Sequence, residues 1–425
     1  MSLPAIHASP ILSSTVDRAR RRLLLGGPAL AGALLVPEAH AQLPANRWSA
    51  AWGCAPAGPP RPAQLQTFAN QTLLLIVRAS IGGGSVRVRV SNEMGSSSLE
   101  IGSAGIGLRR SGAVLVPGSS RQLRFGGRPD ITIPAGAPAF SDPVALTVAP
   151  FADLAISLYL PGRTPASTLH NAAYQANYVS TPGNHAASAS LPVGRAFASW
   201  PFLTEVDIAA GVPVLVAAGD SITDGVGSTS SANRRWTDWL ARRFHTELGP
   251  NRVGVVNRGI SANRMLADTP DTLIAGRALL ERFDRDVLAT SSVGVVAILI
   301  GINDIVYSPP SAPIRPEIMI AGYQQLIERA HVRGIAVMGA TLPPMSGFVY
   351  STPPREAVRQ AVNAWMRSSA AFDLLLDADL ALRDPAAPQR LRSAYDSGDH
   401  VHPNDTGYQA LAGAVPLGQL ALLLS

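Results

Sequence analysis

The hydrophobic pattern changes period about halfway along the chain, and this change constrains the fold more than any other feature. From about Arg47 to Ala210, apolar and polar residues alternate. Val86-Arg87-Val88-Arg89-Val90 puts apolar side chains on one face and cations on the other. Val144, Leu146 and Val148, and then Leu154, Ile156, Leu158 and Leu160, keep the same period of two. Successive side chains of a strand point to opposite faces, so this is the signature of half-buried strands. Gly82-Gly83-Gly84, Gly126-Gly127 and Pro134-Ala135-Gly136 separate them as turns. Several such strands predict an all-β sandwich or jelly-roll domain over residues 42–205.

Beyond Gly211 the apolar runs become continuous: Val212 to Ala217, Val253 to Val256, Val293 to Ile300, Ile335 to Thr341 and Phe372 to Leu376. Continuous runs suit strands buried on both faces of a parallel sheet. Helical stretches lie between them. Trp236, Trp239, Leu240 and Phe244 share one helical face and are read as core. Further helices are predicted over Pro316 to Arg333 and Pro354 to Ala371. Strand–helix alternation predicts a doubly wound α/β domain over residues 211–425, with its chemistry beyond the carboxyl ends of the strands.

Composition narrows the chemistry. All 35 Lys+Arg residues are arginine, which excludes a Walker-type phosphate loop and any catalytic lysine. A single cysteine, Cys54, excludes an internal disulfide and a Cys-rich metal site; it reads as a small hydrophobe in a packed setting. The formal net charge of +6 falls to +4 without residues 1–41, and no long basic run remains, so a nucleic-acid partner is not expected.

Residues 1–41 read as an export signal. Arg20-Arg21-Arg22 precedes a modestly apolar run from Leu23 to Val36, and Ala39-His40-Ala41 offers a small-x-small cleavage site. The run is too short to span a bilayer, which takes about 20 residues. The Arg-Arg-x-Leu-Leu order resembles a twin-arginine signal, with a general secretory signal as the alternative. Either predicts a periplasmic or secreted protein beginning near Gln42, with no stable membrane anchor.

Four polar blocks fall at strand ends or just before the last helix: Gly219-Asp220-Ser221, Asn257-Arg258-Gly259, Gly301-Ile302-Asn303-Asp304, and Asp399-His400-Val401-His402. A serine hydroxyl becomes a useful nucleophile when a neighbouring base takes its proton. An imidazole does this, and a carboxylate fixes its tautomer and stabilises the imidazolium. An aspartate three residues before a histidine reaches the same ring from one tight loop. A tetrahedral intermediate also needs preorganised donors. The backbone N–H groups of Ser221 and Gly259 and the side-chain amide of Asn303 are the candidates, Gly259 because its missing side chain allows close approach.

In order and spacing, these blocks resemble the four signature blocks of the SGNH/GDSL hydrolases, and His402-Pro403-Asn404-Asp405 extends the likeness. The resemblance covers residues 212–425. It implies a flavodoxin-like fold, Ser221 as nucleophile, His402 as general base, Asp399 as its orienting acid, and Ser221, Gly259 and Asn303 as the oxyanion hole. No cofactor or metal is implied. The preceding sandwich resembles the extra domain of an acetylxylan-esterase-like branch.

The expected function is therefore an exported serine esterase cleaving short-chain, mainly acetyl, esters on O-acetylated carbohydrate such as xylan. A lipase-like or polyester-directed esterase is the second reading, and a non-catalytic carbohydrate-binding protein the third. Asp399, His400 and His402 also permit a metal-site reading, although that leaves Ser221 and Asn303 unexplained. Other residues have plainer expectations. Asp220 and Asp304 read as loop-stabilising acceptors, Asp224 and Asp396 as turn residues, and His400 as solvent-facing. His170, His185, His245 and His331 read as surface or satisfied buried imidazoles. Asn257, Arg258, Asn263 and Arg264 form a structural network, the arginine face of Val86 to Val90 is solvated, and Thr341 to Phe348 either lines the substrate pocket or packs as a loop.

Overall fold

The computed structural model describes residues 48–269 and 273–424. The segment expected to be an export signal, with its expected cleavage site, lies outside them. Ten main strands build the first half: β1 (Trp48–Gly53), β2 (Gln71–Arg78), β3 (Gly83–Ser91), β4 (Ser103–Ser111), β5 (Pro138–Phe140), β6 (Val144–Val148), β7 (Asp153–Leu160), β8 (Asn177–Ser180), β9 (Val193–Phe197) and β10 (Leu203–Ala209). One sheet runs β1-β10-β3, with β5 and β6 both on the far edge of β3. The other runs β9-β8-β2-β7-β4. All these pairings are antiparallel. Val86, Val88 and Val90 of one sheet meet Leu73, Leu75, Leu154, Ile156 and Leu158 of the other in a single apolar core. Period-two alternation thus produces the expected sandwich.

The cationic face of β3 departs from the expectation. Arg87 donates to Asp207 of β10 at 2.8 Å and to Ser291 of the α/β half at 3.2 Å. Arg89 is buried and faces Glu93. The face is covered rather than solvated: Phe140 lies against both guanidinium groups, Trp48 and Asp207 also cover Arg87, and Ser291 is its contact from the α/β half.

The second half holds five parallel strands: β11 (Val214–Gly219), β12 (Gly254–Gly259), β13 (Val293–Leu299), β14 (Ala336–Ala340) and β15 (Leu374–Leu376). Their order is β12-β11-β13-β14-β15, the flavodoxin-like arrangement whose switch point lies between the first and third strands. Helices cover both faces: α1 (Ser221–Asp224), α2 (Trp236–Arg243), α3 (Ile302–Val306), α4 (Pro316–His331), α5 (Pro353–Ser368) and α6 (Asp405–Gly413). Pro316 and Pro353 sit in first helical turns, where a missing N–H costs nothing. The two faces of the sheet carry separate apolar clusters, one around Val216 and Ile298 and the other around Leu215 and Val295.

The halves are joined by buried polar contacts as well as by packing, and residues 44–425 form one compact unit. Arg258 of β12 donates to Glu205 of β10 and to the carbonyl of Cys54. Arg285 reaches the carbonyl of Pro56 at 3.1 Å, and Ser292 that of Trp48 at 2.7 Å.

Candidate active site

The site is assembled where β11 and β13 end. Gly219 closes β11 against its neighbours: a Cβ there would stand 2.5 Å from the Leu299 carbonyl oxygen. Asp220 caps α1, its Oδ1 accepting from the Ile222 N–H at 3.1 Å. The chain then turns so that Ser221 opens the helix, 7% exposed. Asn303 lies in the first turn of α3, beyond β13. The switch point therefore brings serine and asparagine together from strands adjacent in space and 82 residues apart in sequence.

The histidine and its acid come from the loop before α6. Asp399 Oδ1 accepts the N–H groups of Val401 at 3.1 Å and His402 at 2.9 Å, while Oδ2 accepts from His402 Nδ1 at 2.5 Å. His402 Nε2 stands 2.8 Å from Ser221 Oγ. Carboxylate, imidazole and hydroxyl are in series. Burial pushes the Asp399 carboxyl up, but the His402 ring and backbone hydrogen bonds outweigh it, and the net shift is downward. Asp399 therefore stays ionised opposite the ring.

His400 has its own acid. Its Nδ1 lies 2.6 Å from Asp396 Oδ2, and its side chain is largely exposed, as expected. Four residues of one loop thus form two separate Asp–His pairs, of which only Asp399–His402 faces the serine. The metal-site reading, which needs these side chains around one point, has no such arrangement here.

The donors for an oxyanion differ from the expected set. Gly259 has its N–H on Asn257 Oδ1 at 2.9 Å. A Cβ on it would meet Asp224 N at 2.3 Å and the Thr223 carbonyl carbon at 2.7 Å. Its missing side chain admits the backbone of α1, not a substrate. Asn303 fits better: one amide hydrogen goes to the Asn263 carbonyl at 3.0 Å, which fixes the amide and leaves the second hydrogen available. The N–H groups of Ser221 and Ala262 donate to no described residue. Ala262 sits at φ 61, a left-handed conformation rare for alanine. Its loop is pinned on one side by Ser261 to Asp224 and on the other by Asn263 to Asn303. Sequence reasoning missed Ala262, since nothing in an alanine announces a positive φ.

Asp224 is more than the expected turn residue. It is buried, accepts from Ser261 N–H and Oγ at 2.8 and 2.6 Å, and meets His170 Nε2 at 2.9 Å. Asp304 receives the N–H groups of Met265 and Leu266, and Asp220 that of Ile222, so both are the loop acceptors expected. Burial, reinforced by the nearby Asp304 and Asp224, pushes the Asp220 carboxyl up to about 7. Asn257, Arg258, Asn263 and Arg264 bond to neighbouring protein groups, as a structural network should. Cys54 is buried with its thiol pushed upward by that burial.

Of the stretch Thr341 to Phe348, Thr341 to Met345 is buried packing. Ser346, Gly347 and Phe348 instead border a cleft of about 410 Å³ with Thr352, Gln360 and Gln389.

A serine, histidine and aspartate in hydrogen-bonded series beyond the carboxyl ends of a doubly wound sheet is the arrangement serine hydrolases use. Residues 217–410 match the GDSL-like lipase/acylhydrolase family and are a GDSL-type acylhydrolase domain, of a family of carboxylic ester hydrolases. Similar solved structures include a lipase/acylhydrolase from Enterococcus faecalis, 20% identical, covering 48% of this chain and 92% of that one at a TM-score of 0.36. An inhibitor-bound aryl esterase from M. smegmatis is 18% identical, with coverage of 50% and 100% and a TM-score of 0.38. An acetyl xylan esterase is 19% identical, with coverage of 47% and 96% and a TM-score of 0.36. No curated protein matches the chain. Among the described residues, no helix is long and apolar enough to cross a membrane.

Proposed function

We propose that the protein is an exported serine esterase that removes acetyl groups from O-acetylated carbohydrate such as xylan. The observation that carries the catalytic part is His402, placed between Ser221 Oγ and Asp399. His402 Nε2 takes the Ser221 proton as Oγ attacks the ester carbonyl, and Asp399 stabilises the imidazolium. The Ser221 and Ala262 N–H groups and the Asn303 amide receive the oxyanion. The intermediate collapses, the alcohol leaves with the proton from His402, and Ser221 keeps the acyl group. Water, deprotonated by the same ring, then releases the acid.

The carbohydrate part rests on the cleft beside the loop of His400. Ser346, Ser351, Thr352, Gln360 and Gln389 line it with hydroxyls and amides, which suit a hydroxyl-rich chain. A lipid or polyester substrate is favoured instead by one feature of the same loop: Val349 and Tyr350 stand 80% and 50% exposed.

Acetate release from acetylated xylan, with p-nitrophenyl acetate as the activity control and Ser221→Ala as the blank, tests both parts. Acetate from the wild type alone supports the whole reading. Cleavage of the small ester with xylan untouched transfers the substrate to the lipid or polyester class. A Ser221→Ala variant with more than a few per cent of turnover ends the serine mechanism.

A further inference from the structure

We infer that the sandwich sets the geometry of the oxyanion loop, with His170 as the positioning residue; this rests on the esterase reading above. His170 belongs to a short strand, Leu169–His170, paired with Trp200–Pro201 of the same domain. It is buried, with its ring 5.6 Å from that of Trp200. Each ring nitrogen faces an acceptor: Nδ1 the Ala55 carbonyl at 3.0 Å, Nε2 the Asp224 carboxylate at 2.9 Å. The first anchors the ring inside the sandwich. The second reaches into the catalytic domain.

Asp224 is where this contact gains leverage. It closes α1, three residues after Ser221, and its other oxygen holds both the N–H and the Oγ of Ser261. Ser261 precedes Ala262, whose free N–H is one of the three donors. One carboxylate therefore joins the helix of the nucleophile to the loop of the donor, and a sandwich side chain sets the plane of that carboxylate. Two further contacts brace the same junction. Arg235 donates to the Asp224 carbonyl at 2.9 Å and to the carbonyl of Ala173. Donors work only where the oxyanion forms, and misplacement by about 1 Å costs on the order of a hundredfold in rate. The contacts of His170 are with Ala55, Asp224 and Trp200, none of them a reacting group. His170 acts through Asp224 and Ser261.

The test is made on the full chain with p-nitrophenyl acetate. His170→Gln can still present an N–H toward Asp224, whereas His170→Asn is too short to reach it. The expected result is that His170→Asn lowers kcat by about tenfold or more with KM nearly unchanged, per active site counted by covalent fluorophosphonate labelling. His170→Gln should restore most of that loss. Ser261→Ala, which loses only the hydroxyl bond, should also lower kcat, by less. A wild-type kcat per labelled site in His170→Asn overturns the inference, as does an equal loss in His170→Gln. If His170→Asn does not fold, Ser261→Ala decides, and an unchanged kcat overturns it. Ser221→Ala is run alongside: turnover there removes the serine reading itself, whatever His170 does.

Discussion

Arg258 and Glu205 form an ion pair between the parallel sheet and the sandwich, with both side chains essentially out of reach of solvent. Arg258 also donates to Thr204 O at 2.9 Å and to Thr290 Oγ1 at 3.3 Å. Removing one partner of a buried pair strands the other, at a cost of about 3–5 kcal/mol, whereas replacing both with apolar groups is often close to neutral. At pH 8, Arg258→Met should therefore lower unfolding stability by about that amount. The double variant Arg258→Met, Glu205→Leu should recover most of it. Denaturant melts of the three proteins decide, and an additive double variant would show that the pair is not coupled.

Asp286 makes stability fall in acid. Burial alone pushes its carboxyl up, but Arg285, Arg282 and Arg258 outweigh it and hold the group at about 2. An unfolded aspartate takes up its proton near pH 3.9. Between those values the unfolded chain binds more protons, so stability rises with pH. The contribution is complete above about pH 4 and is lost as the pH falls toward 2. At about 1.4 kcal/mol per unit it is on the order of 2 kcal/mol. Asp286→Asn should be less stable than wild type at pH 6, with the gap narrowing by pH 2.5; thermal melts across that range measure it.

Asp220 has the opposite sign. Its carboxyl is raised to about 7 by burial, so the folded protein holds a proton that the unfolded chain gives up. Its contribution is complete below about pH 4 and is lost as the pH rises through about 7. Asn keeps an oxygen for the Ile222 N–H but does not ionise. Asp220→Asn should therefore gain stability relative to wild type from pH 5 to pH 8. A gap that is constant across this range would contradict the assignment.

Gly259 and Ala262 should respond in opposite ways to exchange. Gly259→Ala drives a methyl into the α1 backbone at Thr223 and Asp224, and overpacking of this kind costs typically about 1–3 kcal/mol. Because α1 carries Ser221, turnover should fall with stability. Ala262→Gly relieves a left-handed alanine, worth roughly 1–2 kcal/mol by steric argument, and retains the N–H. It should melt at a higher temperature and keep its activity; melts and kcat on p-nitrophenyl acetate test both.

How much could be read from the residues depends on the distance over which they act. The apolar runs that became β11 and β13 are local, as are the three-residue step from Asp399 to His402 and the proline opening α4. All were legible. Arg87 shows where local pattern stops: alternation assigns its side chain to a face, but Asp207 and Ser291, which cover that face, come far later in the chain. His170 and Asp224 are separated in the same way. Gly259 was legible as a close approach but not as an approach by α1, because a glycine does not say what comes near it.

The pairing of β1 with β10 has a consequence for how this chain acquires its shape. Trp48, at the start of the described chain, finds its ladder partner in Ala209, the last residue of the sandwich. β3 waits for the same strand on one of its sides. During synthesis, every residue of the first domain must emerge before β10 can slot between them, and until then two strands carry open hydrogen-bonding edges. Such edges recruit other chains, and long-range pairing of this kind is slow. A ribosome that stalled before Leu203 would release an aggregation-prone fragment rather than a smaller protein.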